Sequence, residues 1–394
     1  VATINVAPGG NLTTAYNSAV NGDTIQLAAG SYGAWVTPIG TKSVTVNGVG
    51  PTTTFTLITC RLANAALKNF RCRCISDPSQ FDGDPAAQTN NWRATLLEDV
   101  LIDGENRTVP ISGTGYTTGA VAPEYAVLNH NSSLSSGNTF RRVEVRNAVN
   151  AKGHQHSGSG HTFESVYTHD ITVNNTGRLT EPIDRSVHNE GMYVLASPGL
   201  TLRGCKFFNC PTMNVFFTSS VDAIDPRTKN VTLENCVFGH CRDASNNWHG
   251  GPCVRIGNTE SYSIPAQLNP DGSYGPLDNF KIRYCLFEHG LVLGAITSDP
   301  ADRPVINGSE IRGCIGGWDN LASKGMVYRY NVGTKIHATD LAVSPSESTP
   351  TTPIPVGWVN PAAGDFHLTA ASVAVGRGDP TNFPATDYDG AVRS

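Results

Sequence analysis

One six-residue phrase recurs eight times along this chain, and that recurrence limits the fold more than any other feature. Its instances are LKNFRC (67–72), LEDVLI (97–102), FRRVEV (140–145), FESVYT (163–168), LRGCKF (202–207), LENCVF (233–238), IRYCLF (282–287) and IRGCIG (311–316). An apolar residue is followed by two mostly polar ones, then Val, Phe or Cys, a variable residue, and usually another small or apolar one. The last three positions alternate in, out, in, with the period of two of a β-strand. The polar pair breaks that alternation, which predicts a bend between two short strands. The fourth positions are Phe70, Val100, Val143, Val166, Cys205, Cys236, Cys285 and Cys314, at intervals of 30, 43, 23, 39, 31, 49 and 29 residues. The shortest interval suits one minimal coil of a β-solenoid, and the excesses predict inserted loops. A sustained 3.6-residue apolar stripe is missing throughout, which excludes a helical solenoid.

A second strand per coil is predicted upstream of each motif, in EYAVLNH (124–130), KGHQHS (152–157), GMYVLA (191–196), MNVFFTS (213–219), GPCVRIG (251–257) and GLVLGAI (290–296). Parallel stacking sets equivalent residues about 4.8 Å apart, so residues distant in sequence come to share one face. Because a solenoid grows by adding rungs, all 394 residues are read as a single domain, with 1–35 as N-terminal cap and first coil and 345–394 as closing segment. The repeat puts Cys205, Cys236, Cys285 and Cys314 in one column, expected to be small buried thiols stacked along the interior. Cys210 and Cys241 each follow such a cysteine by five residues.

The ends carry a resemblance. NLTTAYNSAVNGDTIQLAAGSY (11–32) resembles the capping helix and first coil, and GDFHLTAASVAVGRGDP (364–380) with TDYDGAVR (386–393) the closing segment, of bacterial right-handed β-helix proteins of the pectate-lyase-like superfamily. That resemblance implies a right-handed parallel β-helix and a polysaccharide or oligosaccharide partner. It also implies an extracellular or phage-surface setting and, by analogy of fold, a polysaccharide depolymerase leaning to β-elimination, the alternatives being a glycoside hydrolase or a non-catalytic glycan-binding or phage-tail module. The formal charge of −5 lacks the basic footprint of a nucleic-acid binder. Nor does any run approach the roughly 18 apolar residues of a membrane span.

Chemistry is expected where histidines gather: His154, His156, His161, His169 and His188 all fall between 154 and 188. His154 and His156, two apart, share one side of their strand, and His188 with Glu190 repeats the spacing. His249 and Arg255 come to the corresponding place in a later coil. A lyase acting on a uronate needs a base for the C5 proton and a cation for the carboxylate. His156 or His188 as base, Arg185 or Arg255 as clamp, and Glu190 as orienting group meet that need. A glycosidase needs two carboxylates, which Glu190 with Asp170, Asp184 or Asp225 supplies. His154, His249, Trp248, Asp184 and Asn189 are the expected substrate-binding residues, and the loop aromatics Trp92, Tyr116, Tyr262 and Tyr274 are candidates to stack on sugars. A transition metal at His154, His156, His188 and Glu190 lacks a recognised spacing. No cofactor is called for, calcium at Asp77, Asp82 and Asp84 being the one candidate. The oligomeric state is not legible.

Overall fold

The computed structural model describes residues 1–76, 92–106, 126–130, 135–148, 151–171, 190–210, 213–218, 228–239, 253–256, 277–288, 291–293, 306–307, 310–316, 327–329, 331–333, 357–372, 374–376, 383–387 and 389–392. They fall into two compact units, Val1–Glu190 and Gly191–Ser394. Both are stacks of short parallel strands, coil upon coil, which makes the fold a parallel β-helix. Parallel connections of this kind are right-handed almost without exception.

In the first unit the motif strands Thr45–Asn47, Ala66–Cys72 and Leu96–Asp103 pair in parallel, followed by Thr139–Arg141 with Glu144–Arg146 and Thr162–Glu164 with Tyr167–His169. A second ladder joins Ala34–Val36, Leu57–Thr59, Ile75–Ser76, Ala126–His130 and Lys152–His156. A third side is marked by single bridges, Ala63 to Arg93, Arg93 to Ser136 and Ser136 to Ser159. One α-helix, Leu12–Ser18, precedes these coils, with Asn11 as N-cap accepting from the Thr14 amide and with Leu12, Ala15 and Tyr16 buried.

In the second unit the motif ladder runs through Thr201–Arg203, Thr232–Glu234, Lys281–Arg283, Glu310–Arg312 and Val327–Arg329. Its other half runs from Lys206–Phe208 to Val332–Gly333. The upstream ladder is Met192–Leu195, Val215–Thr218, Val254–Ile256 and Leu291–Leu293.

The bend expected inside each motif is a left-handed backbone corner. Asn69, Asp99, Arg142, Ser165, Gly204, Asn235, Tyr284 and Gly313, the third residue of all eight motifs, have φ between 50° and 61°. The corner turns the strand so that the first, fourth and sixth motif residues point inward, and the first and fourth are all buried. Asn and Gly suit such a corner; Arg142 and Tyr284 adopt it against their own preference, held by pairing on either side. The four motif cysteines form the expected column of buried thiols. Beside it Phe207, Phe238 and Phe287 stack with ring centroids 5.6 and 5.1 Å apart. Cys210 is likewise buried, and Cys241 lies outside the described residues.

The C-terminal segment returns along the flank of the second unit. Trp358–Asn360 and Asp365–Leu368 form an antiparallel pair. Phe366 lies so close over Gly239 that a Cβ there would meet its ring at 2.1 Å. Lys206 Nζ donates to the Gly364 carbonyl (2.8 Å), while Trp358, Leu368 and Ala374 pack with Ile315.

Candidate functional site

On the upstream ladder of the second unit, strand alternation sorts side chains without ambiguity. Met192, Val194, Val215, Phe217, Val254 and Ile256 are fully buried and face inward. Tyr193, Phe216 and Arg255, on the other side of the same strands, are partners in register across three consecutive rungs. The rings of Tyr193 and Phe216 lie 5.4 Å apart, inclined at 60°. Tyr193 and Arg255 are half-buried and Phe216 is more covered. The result is an outward row of two aromatic rings and one guanidinium, spaced by the rung repeat of about 4.8 Å. Aromatic faces offer apolar surface to the C–H face of a pyranose. A guanidinium is a planar fork suited to a carboxylate. Arg255 was singled out from sequence; Tyr193 and Phe216 were not, because GMYVLA and MNVFFTS are apolar on both sides of the strand.

The first unit places its histidines elsewhere. His154 continues an interior column, in register with Leu128, which is in register with Ile75 and that with Ile58. His154 and His156 are both fully buried and face the interior, so neither stands on the outward face where the spacing alone suggested a polar patch. Phe140 and Phe163 pack edge-on against His156, at 5.5 and 4.7 Å. His154 Nε2 lies 2.6 Å from Thr168 Oγ1, and His154 Nδ1 lies 3.4 Å from His156 Nε2. Burial pushes the His154 imidazole down to about 3, so it is neutral at physiological pH. His161, also buried and held down to about 4, contacts the Ser157 carbonyl and accepts from the Asn138 amide. His154 and His161 are thus interior groups held by polar partners.

Lys152 starts the same strand and is also fully buried. Its Nζ donates to Gln155 Oε1 (2.9 Å); burial pushes the ammonium down to about 7, and the charge of Glu190 partly opposes that. Glu190 is buried too, and its carbonyl accepts from the Gly153 amide (3.0 Å). Asp170 occupies a left-handed turn after Tyr167–His169, where His169 Nδ1 lies 2.8 Å from its carboxylate and His169 Nε2 lies 3.2 Å from Glu144. Asp170 and His169 thus sit with the motif strands, whereas Glu190, His154 and His156 belong to the upstream ladder. Trp92, a proposed stacking residue, is fully buried against Phe140. Arg185, Asp184, His188, Asn189, Trp248 and His249 lie outside the described residues, as do Asp225, Tyr116, Tyr262, Tyr274 and the calcium candidates Asp77, Asp82 and Asp84. Among the described residues no three His, Cys, Asp or Glu side chains converge as a metal site, and no helix is long and apolar enough to cross a membrane.

Fold and face together define a β-helix with an outward aromatic–arginine row. No protein-family model matches the chain, and no curated protein does. Among solved structures, the Dettilon tailspike protein is 10% identical, with a TM-score of 0.47 over 84% of this chain and 61% of its own. A Geobacillus virus E2 protein is 16% identical, with a TM-score of 0.43, and the chain spans 80% of itself but only 56% of that protein. A mannuronic-acid-specific polysaccharide family 6 lyase from human gut microbiota is 12% identical, with a TM-score of 0.42 over 90% of this chain and 92% of its own. These likenesses concern general architecture; the reading of the site rests on its own residues.

Proposed function

We propose that the protein is a depolymerase of an extracellular, uronate-containing polysaccharide, acting by β-elimination. The observation that carries this reading is the Tyr193–Phe216–Arg255 row, which offers sugar-stacking surface beside a carboxylate-pairing guanidinium on adjacent rungs. In elimination the uronate carboxylate must be neutralised so that the C5 proton becomes acidic, and a guanidinium held beside the sugar does this. The proton-abstracting group is assigned to His188, which lies outside the described residues and enters the reading through sequence alone. The solved structures named above include a lyase and a tailspike, in keeping with glycan chemistry on such a scaffold.

The test is incubation of the full chain with a panel of polyuronates and neutral glucans, following ultraviolet absorbance of unsaturated ends alongside reducing ends. Unsaturated product from a polyuronate is expected. Arg255→Ala should lower kcat/KM by about tenfold to a hundredfold, the scale of one charge-assisted hydrogen bond. Phe216→Ala should act chiefly on KM, and His188→Ala on kcat. Reducing ends without unsaturation would sink elimination in favour of hydrolysis. Binding without any product would leave a glycan-binding module.

A further inference from the structure

In the first unit, the outward second position of the motif pairs permanent charges. Lys68, Glu98, Arg141 and Glu164 alternate in sign on successive rungs, with Lys68 to Glu98 at 2.7 Å, Arg141 to Glu98 at 3.3 Å and Arg141 to Glu164 at 2.8 Å. The C-terminal segment of the second unit is held by a charge that is not permanent. There one imidazole lies between two carboxylates: His367 Nδ1 is 2.6 Å from Asp365 Oδ1, and His367 Nε2 is 2.7 Å from Asp389 Oδ2. An ionised carboxylate only accepts, so both ring nitrogens must donate, which requires the imidazolium. A neutral ring has one N–H and can serve only one of the two acids.

The two acids are not equivalent. Asp365 belongs to the strand Asp365–Leu368, and its Oδ1 also accepts from the His367 amide at 3.0 Å, so it stays beside the ring in either protonation state. Asp389 sits in a turn that returns to the strand. Within that turn Asp387 Oδ1 accepts from the amides of Asp389 (3.0 Å) and Ala391 (2.8 Å), and Thr386 bridges Val392. The turn also meets the coils, where Asn235 Nδ2, at a motif corner, donates to the Thr386 carbonyl at 3.3 Å. The charged groups around the ring are thus Asp365 on its own strand, Asp389 and Asp387 in the turn, and Lys206 from the motif strand beneath. Lys206 acts on Asp365 while its Nζ donates to the Gly364 carbonyl. Loss of the ring proton leaves these carboxylates beside a single ammonium. The remaining N–H is best placed on Nδ1, toward the anchored Asp365, which turns the Nε2 lone pair on Asp389.

We propose that His367 is a pH-sensitive clasp: as the imidazolium it holds the Asp389 turn against the Asp365–Leu368 strand, and on losing its proton it lets that turn go. The carboxylates, Asp365 first, raise the His367 value above the ordinary 6.5. The clasp is therefore complete below about 6.5 and is lost as pH rises through the raised value. Asp365 is held below its ordinary 3.8, chiefly by the His367 amide, so acid opens the clasp only as pH falls through that lowered value. His367, Asp365 and Asp389 keep 55%, 39% and 47% of their exposure, so protons reach the ring freely and solvent screens the contacts. The effect is accordingly small and confined to the end segment whose Phe366 covers Gly239. The proposal is independent of the Tyr193–Phe216–Arg255 reading, since it uses none of those residues and is measured without turnover.

The experiment follows the full chain by NMR of carbon-labelled histidine, with His367→Gln assigning the resonance. Beside it, a broad-specificity protease samples the end segment from about pH 6 to about pH 9, its rate corrected at each pH against an unfolded substrate. In wild type the His367 ring should titrate above 6.5, and cleavage within 386–392 should rise about two- to fivefold across that range, the scale of exposed ion pairs. Asp389→Asn keeps a contact to either form of the ring, since an amide both donates and accepts. It should lose most of the rise and bring the ring's titration down. Should Asp389→Asn fail to fold by circular dichroism, Asp389→Ser, whose hydroxyl also donates and accepts, takes its place with the same expectation. A His367 ring that titrates at or below 6.5 overturns the proposal. So does a cleavage rise in the folded Asp389 variant equal to that of wild type, or wild-type cleavage that stays flat across the range.

Discussion

The two units build the same coil and put polarity in different places. In Val1–Glu190 the outer motif column neutralises itself, while the interior of the later coils holds Lys152, His154, His156 and His161. In Gly191–Ser394 the described interior holds aromatic rings, thiols and the amides of Asn214 and Asn331, with no charged or imidazole side chain buried among the described residues, and Arg255 stands on the outward side of its strand. The geometry of a rung therefore does not dictate which of its positions are polar. It fixes only which side each side chain faces, and a charged group is tolerated outside at far lower cost than inside.

The largest test of this contrast lies in the second unit's interior. Phe238 sits between Phe207 and Phe287, so Phe238→Ala opens a cavity in the column of rings; a loss of about 3–5 kcal/mol is expected in denaturant unfolding. Next is the first unit's interior. His154→Leu matches its column neighbours Ile75 and Leu128 but removes the partner of His156 and Thr168, costing about 1–3 kcal/mol at neutral pH. The same change should flatten the acid limb. The folded-state value of His154, about 3, lies below the ordinary 6.5, so its contribution is present above about 6.5 and lost as pH falls toward 3. Acid denaturation followed by fluorescence checks both, and an unchanged acid limb would remove His154 as its source.

A smaller effect is expected outside. Arg141→Glu turns an alternating column into three successive acids, Glu98, residue 141 and Glu164, and should cost about 1 kcal/mol, less at high salt.

The motif carried most of the architecture because its information is local: strand alternation, a polar pair, and a recurring apolar fourth residue all lie within six positions. Even the bend was legible at LKNFRC and LENCVF, where Asn69 and Asn235 suit a left-handed corner. The side of the upstream strands was not. A spacing of two places His154 and His156 together, and says nothing of whether they face in or out. That is decided by Leu128, 26 residues earlier, and by Ile75 before it. Tyr193 and Phe216 escaped notice for a related reason: with Val194 and Phe217 beside them, only their register with Arg255 reveals an outward row. Asp170 was near the histidines in sequence, but the turn after Tyr167–His169 commits it to another ladder.

The column of Cys205, Cys236, Cys285 and Cys314 has a practical consequence. With one buried thiol on each of four motif rungs, the second unit carries an internal clock for its own opening. Burial holds Cys236 and Cys285 well above the usual thiol range, so an alkylating reagent reaches them only when their coil parts from its neighbours. Pulse alkylation resolved by peptide mass would give four opening rates in chain order. Whether they change evenly or in a step would show if the stack frays from an end or yields as one block.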